Sequence, residues 1–381
     1  MTCPRVVVIE PFEPHTFLAI RWAEALAAAG AHVSTVIWPD TQGRNLEVSP
    51  LHPWPLLPTV PVPAAISGGL GLLARAWVVW QYLVHAIRIR TVVRRALRLH
   101  RPTHILITTS FTTDLLGLAA TPPSVRVIAF VHGQPIDSTM ARFALRRFAG
   151  SSSGKAPRWI TCFSEDMRVP FLQAGALSAK VVAAPAAWMT VDHAEADRTP
   201  DAPVMFAGEA RREKGFDLFV EAIPRLLESG PVRLQTYNLT GVDDATRERI
   251  DRLARSADKR LTLIESRVSD EEYDRLLSTA SMIVLPYDPA AYPYGRISGI
   301  LSEAWAAGVP VVVSDGWWAS PIVREHGGGA VFDYGDIDSL VRAIATVRSD
   351  PSGMRARARA GHDAMLAAQG PDAFARFVLA L

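Results

Sequence analysis

Cysteine is scarce in this sequence: its 381 residues include two, Cys3 and Cys162. Neither stands at metal-type or redox-type spacing, and two thiols build no disulfide framework. The pair suits a reducing cytosol. Long apolar runs are missing as well. The longest, from 70 to 89, is broken by Arg75, Gln81, His85 and Arg88, which makes it a poor membrane span. The start, MTCPRVVVIEP, has no basic segment ahead of an apolar one, so no signal peptide is expected and the cytoplasm is the expected compartment. Charge of one sign is also absent. A formal net charge of +2 argues against nucleic acid as the main partner.

What is present is a regular alternation of apolar strands and amphipathic helices, over a length that suits two domains. In the first half, strands are expected at 6–9, 32–37, 104–108, 125–131, 159–163 and 181–184. A helix at 16–29 ends at Gly30, and a long helix covers about 70–100. Ser164 reads as an N-cap with Glu165 and Asp166 in the first turn. The proline-rich 50–63 reads as an irregular loop. The stretch 185–203 reads as a linker between a domain at 1–190 and a second at 200–365. In the second half, strands are expected at 203–207, 233–237, 261–264, 281–286 and 309–314. Helices are expected at 216–228, 270–278, 298–307, 337–347 and 354–368. A last helix over 370–381 is expected to pack back toward the first domain. Short apolar strands between helices imply two parallel sheets covered on both faces, an α/β architecture of two Rossmann-like domains facing a central cleft. Ligands in such sheets bind beyond the strand carboxyl ends.

Two loops after strands carry the chemistry. In residues 286–316, PYDPAAYPYGRISGILSEAWAAGVPVVVSDG, a strand runs through a loop into a helix opening at Ser298–Gly299. Amides at a helix start make an anion site, and Gly299 permits close approach. Glu303, five residues on, lies roughly 7–8 Å further along the axis, where a ribose attached to that anion would sit. A plain αβ unit with a solvated glutamate fits the same residues. In residues 204–223, VMFAGEARREKGFDLFVEAI, a strand ends at Gly208 and a loop with Arg211, Arg212 and Lys214 follows. Cations there suit a diphosphate; a solvated basic loop is the alternative.

Together the two segments resemble the retaining glycosyltransferases of the GT-B fold, in particular the family 4 group, also called glycosyl transferases group 1. That family has a glycine-to-Lys-Gly signature before a helix, then a Glu-bearing helix ending in Ala-x-x-Gly-x-Pro-Val-Val. Here they stand as GEARREKGFDLFVEA and SGILSEAWAAGVPVVVS, in the family's order and at its spacing. The likeness is dense over 203–350 and looser over 1–185, where VHG at 131–133 and SED at 164–166 fit.

The resemblance implies a hexosyl- or related sugar transferase that uses a nucleoside-diphosphate sugar as co-substrate, with no cofactor and no metal. Lys214 and Arg211 would contact the donor diphosphate after Gly208. Ser298 and Gly299 would offer amides to the distal phosphate, Ile300 would join the donor site, and Glu303 would hold the ribose. Arg267 and Val268, with Ser266, lie where the family seats the base, and His132 where it places a residue beside the sugar. Three departures stand out. Glu209 follows the glycine where the family usually has arginine, so Arg211 is expected to substitute. Gly295 stands eight residues before Glu303 where a second glutamate is common, leaving Tyr294 or Arg296 to fill the space beside the donor sugar. The N-terminal loop EPFEPHTF lacks the paired glycines of many relatives, which makes Glu10, Glu13 and His15 candidates for contact with a small-molecule or glycan acceptor.

Other classes fit less of the chain. The GGLG at 68–71 follows a proline-rich loop instead of a strand, which counts against a dinucleotide oxidoreductase. A sugar-nucleotide epimerase or a non-catalytic sugar-nucleotide-binding protein would share the nucleotide residues. The arginine-rich end of the long helix reads as a solvated face on a helix buried against its sheet. Trp77, Val78, Trp80, Tyr82 and Leu83 ahead of those arginines also suit an anionic membrane surface.

Overall fold

The computed structural model describes residues 3–11, 16–37, 47–48, 72–131, 138–151, 154, 156–185, 188, 201–256, 258–291 and 297–381. They divide into two compact units, Met1–Ala187 with Gln369–Leu381, and Trp188–Ala368. Each is built on a fully parallel sheet.

The first unit contains β1 (Arg5–Ile9), α1 (Thr16–Ala28), β2 (His32–Val36), β3 (Glu47–Val48), α2 (Leu72–His100) and β4 (His104–Ser110). A single 3-10 turn leads into α3 (Leu115–Leu118), followed by β5 (Arg126–Val131), α4 (Thr139–Ala149), β6 (Arg158–Cys162), α5 (Glu165–Gln173) and β7 (Val181–Ala183). The strands lie in the order β3-β2-β1-β4-β5-β6-β7. Alternation along the strands makes two cores. Val7, Ile9, Ile105, Ile107, Val127 and Ala129 face the layer of α2 to α5. Val6, Val8, Leu106, Ile128 and Phe130 face α1. The chain's last helix, α13 (Pro371–Ala380), packs on that second face beside α1. Its Phe374 ring lies 4.6 Å from the fully buried Trp22, which is 4.3 Å from Phe130. Ser164 caps α5 by accepting from the Met167 amide.

The second unit contains β8 (Val204–Glu209), α6 (Phe216–Ser229), β9 (Val232–Tyr237), α7 (Asp244–Arg255), β10 (Leu261–Ile264), α8 (Asp270–Ser278) and β11 (Met282–Leu285). Then come α9 (Gly299–Ala306), β12 (Val311–Ser314), α10 (Ala319–His326), β13 (Gly329–Phe332), α11 (Ile337–Ser349) and α12 (Pro351–Gln369). The strand order is β10-β9-β8-β11-β12-β13. From β8 the chain winds outward through β9 and β10, then returns to place β11 on the other side of β8. The sheet's topological switch point therefore lies between β8 and β11. Trp188 belongs to this unit's core. Its indole donates to His362 Nδ1 at 2.9 Å, and its ring lies near Trp305 and Trp318.

Several elements go beyond the sequence expectations. In α7, Thr246 and Ile250 are buried and Leu253 half-buried, a narrow stripe on an otherwise charged helix; its start is set by Asp243, which accepts from the Thr246 amide. β13 is a glycine-led edge strand of four residues. The α4 helix has both a cap, Ser138, and a stripe of Ala144, Leu145 and Phe148. The segment 50–63 and most of 185–203 lie outside the described residues. Among the described residues no helix is long and apolar enough to cross a membrane.

Candidate functional site

The switch point of the second sheet is where the two motif loops meet. β8 ends in Gly208 and Glu209, and a 3-10 turn over Arg212–Lys214 leads to Gly215 and α6. Gly215 has φ +67°, and a Cβ on it would come within 1.7 Å of the Pro286 carbonyl oxygen. Glycine is thus required twice over, by conformation and by contact. The Asp288 amide donates to the Glu213 carbonyl at 3.1 Å, so the loop after β8 and the loop after β11 share a backbone bond.

This clasp brings three of the expected donor residues together. A Cβ built on Gly208, itself at φ +124°, would lie 3.7 Å from Lys214 Nζ and 3.6 Å from Ile300 Cδ1. The bare glycine leaves room there for a ligand atom. Ser298 is buried at the mouth of α9, and its hydroxyl pairs with that of Tyr287 at 3.2 Å. Because Ser298 makes no side-chain cap, its hydroxyl does not satisfy the first amides of α9. Tyr287 stacks on Trp317, and its carbonyl accepts from the Ser314 hydroxyl.

Glu303 lies one turn inside α9. Tyr273, on α8, donates its hydroxyl to Glu303 Oε2 at 2.9 Å. Burial pushes the Glu303 carboxyl up; the Tyr273 bond and Lys214 oppose the rise, while Asp274 and Asp270 add to it. Burial and then Arg211 draw the Lys214 ammonium down to about 8, against the pull of Glu209, Glu213 and Glu303. The mutual influence of Lys214 and Glu303 places the two motifs within one electrostatic environment. Arg211 stands between Glu209 and Glu213, 3.2 Å from each. The Glu209 carboxylate also accepts from Asn238 at 2.8 Å. The glutamate that departs from the motif thus helps hold Arg211 in place.

Gln235 was not marked by the sequence motifs. Buried on β9, it accepts from the Gly208 amide at 3.2 Å and donates to the Ser266 carbonyl at 3.3 Å. It therefore ties the loop of Ser266, Arg267 and Val268 to the end of β8. Arg267 is exposed, and Val268 packs partly against the core.

The first sheet has its own switch point, between β1 and β4. Glu10 is fully buried there, and its Oε2 accepts from Thr108 and Thr109 at 2.5 and 2.7 Å. Beyond β4, His85 Nδ1 lies 2.6 Å from Asp114 Oδ1. Burial works against the His85 imidazolium, but the Asp114 carboxylate outweighs it and the pKa is raised. Glu13, His15, His132, Tyr294, Gly295 and Arg296 lie outside the described residues. Among the described residues no three His, Cys, Asp or Glu side chains come together as a metal group would require.

Residues 202–350 match the family model described as Glycosyl transferases group 1. Over 181 residues, 47% of this chain and 49% of the relative, the chain is 26% identical to the lipopolysaccharide core biosynthesis glycosyltransferase LpsE of Rhizobium meliloti strain 1021. Over 165 residues, 43% of this chain and 38% of the relative, it is 29% identical to glycogen synthase of Mycobacterium tuberculosis. The matches thus span about half or less of these curated relatives. Sucrose-phosphate synthase of Thermosynechococcus elongatus superposes over 99% of this chain and 98% of its own, with TM-score 0.68 and 16% identity. Anabaena Alr3699/HepE, in complex with UDP, covers the same shares with TM-score 0.66 and 11% identity. The fold is the GT-B fold, and residues 202–350 of the second unit are similar to the glycosyl transferases group 1 family.

Proposed function

We propose that this protein is a glycosyltransferase that moves a hexosyl or related sugar from a nucleoside diphosphate to a hydroxyl or amine of a glycan or small-molecule acceptor. The observation that carries the reading is the convergence of Gly208, Lys214 and Ile300 at one switch point, with Glu303 influencing Lys214. As the bond to the sugar breaks, the leaving diphosphate gains negative charge. Lys214, Arg211 and the amides at the start of α9 take up that charge, so preorganised cations and dipoles fill the place of a metal. Glu303, aimed by Tyr273, accepts from the ribose hydroxyls. The base lies over the loop of Arg267 and Val268. Two roles in this reading, retention of anomeric configuration and His132 beside the sugar, rest on the motif resemblance. Of the acceptor candidates, Glu10 has its carboxylate engaged by Thr108 and Thr109, so it ties the end of β1 to that of β4.

UDP is the first nucleotide to test, since the HepE neighbour carries it. Thermal shift against the free nucleoside diphosphates identifies the base, because a ligand of the native state raises Tm. Transfer is then assayed with Lys214→Ala and Glu303→Ala. Each variant is expected to lose at least ~10-fold in donor affinity or rate, the scale of one charge-assisted contact. If both behave like the parent, the site assignment fails. Release of free nucleoside diphosphate separates transfer from epimerisation.

A further inference from the structure

The large apolar side chains exposed on the described residues are six: Trp80, Ile87, Leu99, Phe143, Val169 and Leu177. All six belong to the α2–α5 side of the first unit. Trp80, Ile87 and Leu99 are on α2, Phe143 is on α4 and Val169 on α5. Leu177 follows α5, and its amide bonds to the Ala149 carbonyl at the end of α4. Among the described residues the second unit contributes none. Trp80, Ile87 and Phe143 are 56%, 60% and 61% exposed, well beyond ordinary edge exposure of core residues.

These side chains stand among cations. α2 has six arginines and α4 three, and neither helix contains an acidic residue. At 100° per residue, Trp80, Ile87, Arg94 and Arg98 fall within about 40° of one another on the α2 surface. The apolar anchors come first along that face and the exposed arginines follow. The opposite side of α2 is buried: Ile89, Val92, Val93 and Ala96 pack into the sheet core. Over its described side chains the helix therefore has a buried inner face, and Trp80 and Ile87 lie outside it. Exposed apolar surface of this kind on one layer marks an interaction site.

We infer that the outer face of α2 and α4 docks on an anionic lipid surface. Tryptophan and phenylalanine suit the headgroup boundary, and arginines beside them meet lipid phosphates. A second copy of the chain would bring two arginine faces together, which charge disfavours. A nucleic acid would use the arginines and leave the six apolar side chains without purpose. The surface lies within the first unit and is separate from the donor residues of the second.

The test is flotation of the full chain with vesicles of phosphatidylcholine alone and of phosphatidylcholine mixed with phosphatidylglycerol. Binding is expected to the mixed vesicles and to weaken as salt rises. The variant W80S/I87S/F143S is expected to bind them at least ~10-fold more weakly. The variant R90E/R94E/R98E is expected to lose binding. Both should keep the parent's Tm and nucleotide affinity, since the replaced side chains are exposed and far in sequence from the donor motifs. No flotation with the anionic vesicles overturns the inference. So does equal flotation of the serine variant, which would reduce the surface to a general polyanion site. A concentration-dependent dimer that the serine variant abolishes would also overturn it, in favour of self-association.

Discussion

Tyr273 holds Oε2 of Glu303 at 2.9 Å, from a helix that neither donor motif includes. The bond fixes the carboxylate before any ligand arrives, and in the proposed donor site Oε1 would accept from the ribose. Tyr273→Phe removes one hydrogen bond to a charged group while keeping the ring in place. Donor KM is expected to rise about 10-fold, in line with ~1.5 kcal/mol for such a bond. Steady-state kinetics with varied donor reads this, and an unchanged KM would remove Tyr273 from the site.

Lys214 titrates near pH 8 because it is buried and lies close to Arg211. Its ammonium is the form that binds a diphosphate, so nucleotide affinity is expected to fall as pH rises through about 8. Above that pH, binding should draw in a proton, which calorimetry in buffers of different ionisation heat detects. Lys214→Arg should flatten the profile. The sign for stability is the reverse. Between about 8 and the ordinary lysine value the unfolded chain holds the extra proton, so the Lys214 contribution to stability improves with pH there.

Gly215→Ala puts a Cβ against the Pro286 carbonyl in a left-handed conformation. The expected loss of stability is about 3 kcal/mol, from backbone strain together with overpacking. Denaturant unfolding measures it. Because the same contact clasps the two motif loops, nucleotide affinity should fall with it. A variant as stable as the parent would mean the clasp is loose.

Gln235→Leu leaves the Gly208 amide and the Ser266 carbonyl without their buried partner. A cost of about 1–3 kcal/mol is expected from the orphaned groups. If Gln235 sets the base loop, discrimination among nucleoside diphosphates should weaken as well. Thermal shifts across a nucleotide panel compare the two effects.

Much of this arrangement was legible from residue order. The alternation of strands and helices and the Gly-Lys-Gly and Glu-helix motifs are local signals, and each lies where its pattern placed it. The α2 helix shows where local reading stops. Its sequence suited a buried helix with solvated arginines as well as a lipid-facing one. Periodicity says which side chains share a face, but it does not say which face the sheet covers. The structure buries Ile89, Val92 and Ala96 and leaves Trp80 and Ile87 outside.

Tyr273 and Gln235 were equally out of reach, because neither sits in a motif and their partners lie about thirty residues away in the chain. Composition and spacing by themselves determined the fold class and where the two motif loops fall in it, since short-range periodicity and backbone requirements act on neighbouring residues. The strand order determined the rest. By returning β11 to the flank of β8, it brought Lys214, Ile300 and Glu303 to one place, and long-range packing of this kind is settled by the energy of the whole core.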